Sequence, residues 1–353
     1  MQKSAGAALD KRIAKYLGKV GHTSIVALAD HFDRSPRTVQ TTLETLRQQG
    51  AYVQVDADVV AMPQQIRPGN AMGGPLVHDI SEYEDGWFQF GALGDNHLGS
   101  KHERLDVLTA AYDLYAAEGV RTVFNTGNWI EGEMRLNFHD VKIHGLDAQL
   151  DYMLEHYPQR KGVTTYFVAG DDHEGWYQRN SRLEVGRLLQ LRAEAAGRKD
   201  LQYLGYVEAD IDLKTSGGRS KLKVMHPGGG SAYAYSYAPQ KIVESFQGGE
   251  KPDILLIGHY HKFEYCYPRG VHVVQTGCTV DQSIFMRKQK ISAHVGFTLC
   301  RLNQSPSGVV NRFQVEWFPF FDRGFYGTAR RNFGLTPAPM PVRKVRGGRV
   351  LAA

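Results

Sequence analysis

Five runs of β-type residues in this chain each end in a small cluster of aspartate, histidine or asparagine, and that succession constrains the fold more than any other feature. WFQFGAL leads into Gly94-Asp95-Asn96-His97, RTVFNT into Gly127-Asn128-Trp129, and VTTYFVA into Gly170-Asp171-Asp172-His173-Glu174. KLKVMH ends at His226, and DILLIG leads into Gly258-His259-Tyr260-His261. Short β-type runs, among them VHVVQTG and two more near residues 294–302 and 309–318, alternate with longer helical stretches, which predicts an α/β domain. In open α/β sheets ligand groups collect beyond the carboxyl ends of the strands, so these clusters can converge on one site.

The residue types point to a metal. Carboxylate and imidazole together suit manganese, iron or zinc better than an all-oxygen magnesium site. Residues two apart in an extended segment point to the same side, so Asp95 with His97, and His259 with His261, are each expected to present two donors together. A lone buried histidine is more often a hydrogen-bonded core residue, and His22, His31 and His156 read that way.

The order of the clusters resembles the signature of the calcineurin-like metallophosphoesterase superfamily, D-x-H, G-D, G-N-H-D/E, H and G-H-x-H, over about residues 87–320. The resemblance implies a β-sandwich flanked by helices and an enzyme that hydrolyses phosphoesters with two divalent metals, manganese foremost and iron, zinc or magnesium as alternatives. It implies Asp95, His97 and His261 as ligands of the first metal, Asp172, His226 and His259 as ligands of the second, and Asn128 as the bridge between them. His173 would face the scissile phosphate with Glu174 beside it. A hydroxide activated by the two metals would attack phosphorus directly, with Asp95, Asn128 and His173 as the catalytic positions.

Two residues depart from the signature. Asp172 stands where the family has asparagine, which adds a negative charge. Asn128 stands where the family has its bridging carboxylate, and a neutral amide bridges two cations poorly. The reading carried forward is an introduced Asp-to-Asn exchange that lets substrate bind uncut. A native amide would instead favour a non-hydrolytic DNA-binding regulator.

Ahead of this domain, residues 1–62 read as three helices and a short hairpin around Asp56-Ala57-Asp58, with the first helix over 10–17 and the third opened by Ser35-Pro36. This succession resembles the winged helix-turn-helix family. The resemblance implies a recognition helix over 35–49 that turns Arg37, Thr38, Gln40, Thr41 and Thr42 toward the major groove of DNA. A protein contact, or a homodimer contact, is the other role open to such a module. Residues 63–86, rich in proline and glycine, read as a linker, residues 87–322 as the catalytic domain, and 323–353 as a basic tail without an acidic residue. That tail is either a solvated terminus or a strap along a phosphate backbone.

Superfamily members include protein phosphatases, nucleotide phosphodiesterases and SbcD-like DNA nucleases. The N-terminal module and the tail lean toward DNA, in duplex form, and so toward an endonuclease or nickase. Arg135, Arg179 and Arg182 follow the second and third clusters and can grip phosphates. Tyr233, with Tyr235, Tyr237 and Lys241, follows His226, where tyrosines either stack on sugars and bases or belong to the start of a helix. A small-nucleotide phosphodiesterase or phosphatase with a regulatory winged helix is the alternative. The net charge of +5 agrees with a polyanionic partner without requiring one. The three cysteines have no zinc-cluster spacing, and no run is long or apolar enough for a signal peptide or a membrane span, so a cytoplasmic, reduced protein is expected.

Overall fold

The computed structural model describes residues 3–320 except 21, 49–52, 57–58, 62–67, 82, 84–85, 182 and 231. Two compact units emerge, residues 1–67 with 181–184, and 68–180 with 185–353.

The first unit holds α1 (Lys3–Val20), β1 (His22–Ser24), α2 (Ile25–Phe32), α3 (Pro36–Gln48), β2 (Gln54–Asp56) and β3 (Val59–Ala61). β3 lies between β1 and β2, antiparallel to both. Two helix starts are set by serine hydroxyls: Ser24 Oγ accepts from the N–H of Ala27 at 2.9 Å, and Ser35 Oγ from that of Thr38 at 3.2 Å. Ile13, Leu17, Leu28, Val39, Leu43 and Val60 close the core, each contributing roughly 1.5–3 kcal/mol by burial. On α3, Arg37, Thr38, Gln40 and Thr41 are exposed. Thr42 is not: it is buried, and its hydroxyl donates to the carbonyl of Thr38 at 2.8 Å. The helical period puts it on the face of Val39 and Leu46, against the expectation that it faces outward.

The second unit begins inside the stretch read as a linker. Residues 69–79 there form β4 (Gly69–Asn70) and β5 (Leu76–Asp79). Then follow β6 (Trp87–Leu93), α4 (Leu105–Ala117), β7 (Thr122–Asn125), α5 (Leu146–His156), β8 (Thr164–Ala169), α6 (His173–Ser181), α7 (Val185–Ala195) and β9 (Leu201–Tyr206). The chain continues through β10 (Glu208–Lys214), β11 (Arg219–Met225), α8 (Tyr237–Ser245), β12 (Ile254–Ile257), β13 (Phe263–Cys266) and β14 (His272–Thr276). It ends its described part with α9 (Ile284–Gln289), β15 (Gly296–Gln304) and β16 (Val310–Pro319).

One sheet has the order β16-β15-β6-β7-β8-β9-β4 and the other β13-β14-β12-β11-β10-β5. Between them Phe88, Phe90, Phe124 and Val168 meet Ile211, Leu222, Ile254 and Val274 in one dry core. α4 packs on β15, and α7 on β8 and β9, which gives the expected β-sandwich flanked by helices. β6, β7 and β8 run parallel, as do β11 and β12, so their carboxyl ends share an edge.

The linker reading missed β4 and β5 for a physical reason. Both are short edge strands, and β5 alternates only between half-buried and exposed residues. β4 is anchored instead by a side chain: Asn70 donates to the carbonyl of Asp210 and accepts from its N–H, both at 2.9 Å. Residues 321–353, including the basic tail, lie outside the described residues. Among those described, no helix is long and apolar enough to cross a membrane.

Candidate metal centre

The loops after the parallel strands are tied to one another by their backbones. The N–H of Asp95 donates to Gly127 at 2.9 Å, and those of Asn96 and His97 both donate to Asn128. Asp95 Oδ2 accepts from the N–H of His259 at 2.8 Å, which joins the loop after β6 to that after β12. Gly170 leaves the space that this convergence needs, because a Cβ there would fall on Oδ1 of Asn128. These segments are not extended. Asp95, His97, Asn128, His259 and His261 all have φ between 47° and 77°, so the expectation that residues two apart point to one side because the chain is extended does not apply.

Two groups of donors that share no residue result, and a third, His97 with Glu131 and His173, overlaps the first. Asp95 Oδ1 stands 3.9 Å from His97 Nε2 and 3.4 Å from His261 Nε2. Asp172 reaches His226 Nε2 at 3.4 Å with Oδ1, and His259 Nδ1 at 3.3 Å with Oδ2. His259 and His261 therefore part company, one to each group, as the family resemblance implies. Donors each about 2.0–2.2 Å from one cation stand roughly 3.0–3.5 Å apart, whereas direct hydrogen bonds are shorter. Asp95 Oδ1, Asn128 Oδ1, His226 Nε2 and His259 Nδ1 are buried without a hydrogen-bond partner. Orphaned acceptors facing one another fit divalent cations.

The far nitrogens of the same rings are held by acceptors. His226 Nδ1 meets the carbonyl of Thr126 and His259 Nε2 that of Gly229, both at 2.7 Å. Carbonyls only accept, so those nitrogens carry a proton, and the opposite ones face the cage, where each offers a lone pair once a cation takes the place of any second proton. His97 Nδ1 meets Glu131 Oε2 at 3.0 Å.

Burial holds His97 well below the ordinary histidine value, and the nearby His173 and His261 lower it further. Burial also opposes charge on His226, but Asp172 and Asp95 outweigh it and raise that ring to about 9. Against the same opposition, Asp95 raises His261. Despite burial, Asp95 is lowered by His261, and Asp172 by His173, His226 and His259. The cage thus holds two ionised carboxylates and histidines whose protons a cation can replace.

Three supporting residues carry no sequence signal of their role. Glu131 Oε1 accepts from Asn137 Nδ2 at 2.9 Å, and its backbone carbonyl receives His173 Nδ1. Burial pushes Glu131 up to about 7. Glu174 is fully buried and accepts from the backbone N–H groups of Asn128, Ile130 and Gly170 at 3.2, 3.1 and 2.9 Å, clamping two site loops together. Burial pushes it to about 7 as well.

The residues expected at DNA are more dispersed. Arg135 and Tyr233 are exposed, so Tyr233 is no core residue. Arg179 is engaged with Asp171 at 2.9 Å and Lys241 with Glu244 at 3.4 Å. Arg182 lies outside the described residues.

The second unit is thus a mixed α/β fold of two sheets flanked by helices, with the donor groups gathered at the strand ends. No family model and no curated protein matches the sequence. Solved structures similar to the chain include an archaeal phosphodiesterase, at 12% identity and TM-score 0.35, covering 65% of this chain and 100% of that one. A predicted phosphoesterase from Streptococcus pneumoniae is similar at 14% identity and TM-score 0.32, covering 66% and 90%. Vps29 from Entamoeba histolytica, complexed with zinc, is similar at 16% identity and TM-score 0.30, covering 66% and 99%.

Proposed function

We propose that this chain is a metal-dependent phosphodiesterase of the calcineurin-like superfamily, in its SbcD-like nuclease branch, that acts on duplex DNA as an endonuclease or nickase. The observation that carries the reading is the pair of adjoining three-residue cages with orphaned donors. Asp95, His97 and His261 would hold one cation, and Asp172, His226 and His259 the other, manganese suiting this mixed donor set. Bound metals in such a site acidify water and neutralise charge on phosphoryl oxygens.

The chain's own groups supply position and protons. Asn128 Oδ1 is buried without a partner in the space it shares with Asp172 and His226 around Gly170, but as a neutral amide it attracts cations weakly. His173 Nδ1 is fixed on the Glu131 carbonyl, which leaves Nε2 to touch a phosphoryl or leaving oxygen. DNA is supported by the exposed Arg37, Thr38, Gln40 and Thr41 on α3, in a module of three helices and a three-stranded sheet. The test is cleavage of duplex DNA with manganese by Asn128→Asp beside the unaltered chain. A large gain in rate is expected, and equal rates would count against the assignment of Asn128.

A further inference from the structure

A cavity of about 310 Å³ is lined at the cages by His97, Asp172, His259 and His261, together with His173, and elsewhere by apolar Met134, Leu136, Phe285, Met286 and Ile291. A phosphate is charged oxygen on every side and gains nothing from such walls, so they serve a group attached to it. Apart from the cage histidines His259 and His261, one polar residue of the lining has a buried atom without a partner. Asn137 is buried, and its Nδ2 donates to the carbonyl of Glu131 at 2.8 Å and to Glu131 Oε1 at 2.9 Å. Those two acceptors fix the direction of the amide and leave Oδ1 buried with no partner. A buried acceptor left unpaired is costly, and a donor on a ligand relieves it.

The occupant therefore has apolar faces, an N–H on its edge and a covalent link to phosphate. A lipid tail lacks the donor, and a sugar carries hydroxyls around its whole rim that apolar walls would leave unpaired. A nucleobase meets all three conditions, and the volume lies at the small end of ligand sites, about 300–1,000 Å³, too small for a base pair with its neighbours. Resting on the phosphodiesterase reading above, we propose that this cavity receives one unpaired nucleobase next to the scissile phosphate. Within a duplex that base must leave the stack, so cleavage falls where pairing is weak or absent. The same chemistry is offered by a nucleic-acid strand and by a free nucleotide.

The test uses the full chain with manganese and a short single strand carrying one 2-aminopurine, whose fluorescence reports stacking and burial. The strand is expected to bind with a fluorescence change, and to bind more weakly once fully paired. Phe285→Ala should weaken binding about tenfold, the scale of losing a base stack. Leu136→Ser should do the same at a side chain 64% exposed, where replacement does not threaten folding. An abasic strand that competes as well as the intact one overturns the proposal, as do variants that bind unchanged. A free 2-aminopurine nucleotide that binds as tightly as the strand marks mononucleotides as the source, and a tighter strand marks nucleic acid; both outcomes support the pocket. Cleavage by Asn128→Asp is scored separately. Base binding without cleavage of any phosphodiester removes the enzyme reading alone, and cleavage indifferent to an abasic site removes the pocket alone.

Discussion

Nε2 of His97 and Nε2 of His261 face each other at 3.2 Å although they lie 164 positions apart in the chain. One proton can sit between them, yet the Asp95 carboxylate also stands within 3.9 Å of both. A single divalent cation satisfies all three donors without a proton.

Two manganese ions per chain are expected to remain after desalting at neutral pH. His261→Asn should remove one and His226→Asn the other, each read by elemental analysis. Full stoichiometry in both variants would show that the cages are not where the ions sit.

Binding should release protons. His226 is protonated below about 9 and His261 is also raised, so at pH 7 a cation displaces roughly one to two protons. Affinity should fall about tenfold per pH unit for each proton in competition as pH drops below that value. Calorimetry in buffers of different ionisation heat measures the release directly.

Glu131→Gln should lower manganese affinity about 10–100-fold, because an amide can turn an N–H toward His97 and cannot hold its ring as a carboxylate does. The affinity is read by calorimetry, with circular dichroism to show an intact fold. An unchanged affinity would mean that His97 is oriented by its backbone alone.

Glu174→Gln should destabilise the protein by about 1–3 kcal/mol, since one amide oxygen cannot serve three buried N–H donors and the new NH2 faces some of them. Thermal or urea unfolding of the cation-free protein reads this. Loss of manganese affinity should accompany it, because the loop carrying Asn128 is one of the two that the clamp holds.

Arg37→Ala should weaken duplex binding by about 1–3 kcal/mol if the side chain reads a base, with a loss that varies with sequence. A uniform loss and a shallower salt dependence would instead identify a phosphate contact. Binding unchanged on both counts would turn attention to a protein or dimer contact for α3.

The site's ligands were legible in the sequence because glycine and strand ends mark where short polar clusters must surface. Their division into two groups came only with the family resemblance, since spacing along the chain does not record contacts such as that of the His259 N–H with Asp95 Oδ2. Glu131 and Asn137 were hidden for a related reason, as was the clamping role of Glu174, which the sequence placed only beside His173. Glu131 and Glu174 act through hydrogen bonds to other loops and Asn137 through Glu131, and a buried carboxylate looks in sequence like any surface one. The strands that escaped notice, β4 and β5, are edges whose anchoring is by backbone and by Asn70 rather than by apolar side chains.

Five of the nine non-glycine residues with positive φ among the described residues are Asp95, His97, Asn128, His259 and His261. That conformation costs an ordinary residue roughly 1–2 kcal/mol, whereas Asn, Asp and His adopt it more readily. Alanine scanning would therefore confound two effects here, because each alanine both deletes a donor and strains the turn that aims its neighbours. Asparagine is the cleaner probe at the histidine positions: it withdraws the imidazole, keeps the bend, and lets a lost ion be read as lost coordination rather than a rearranged loop.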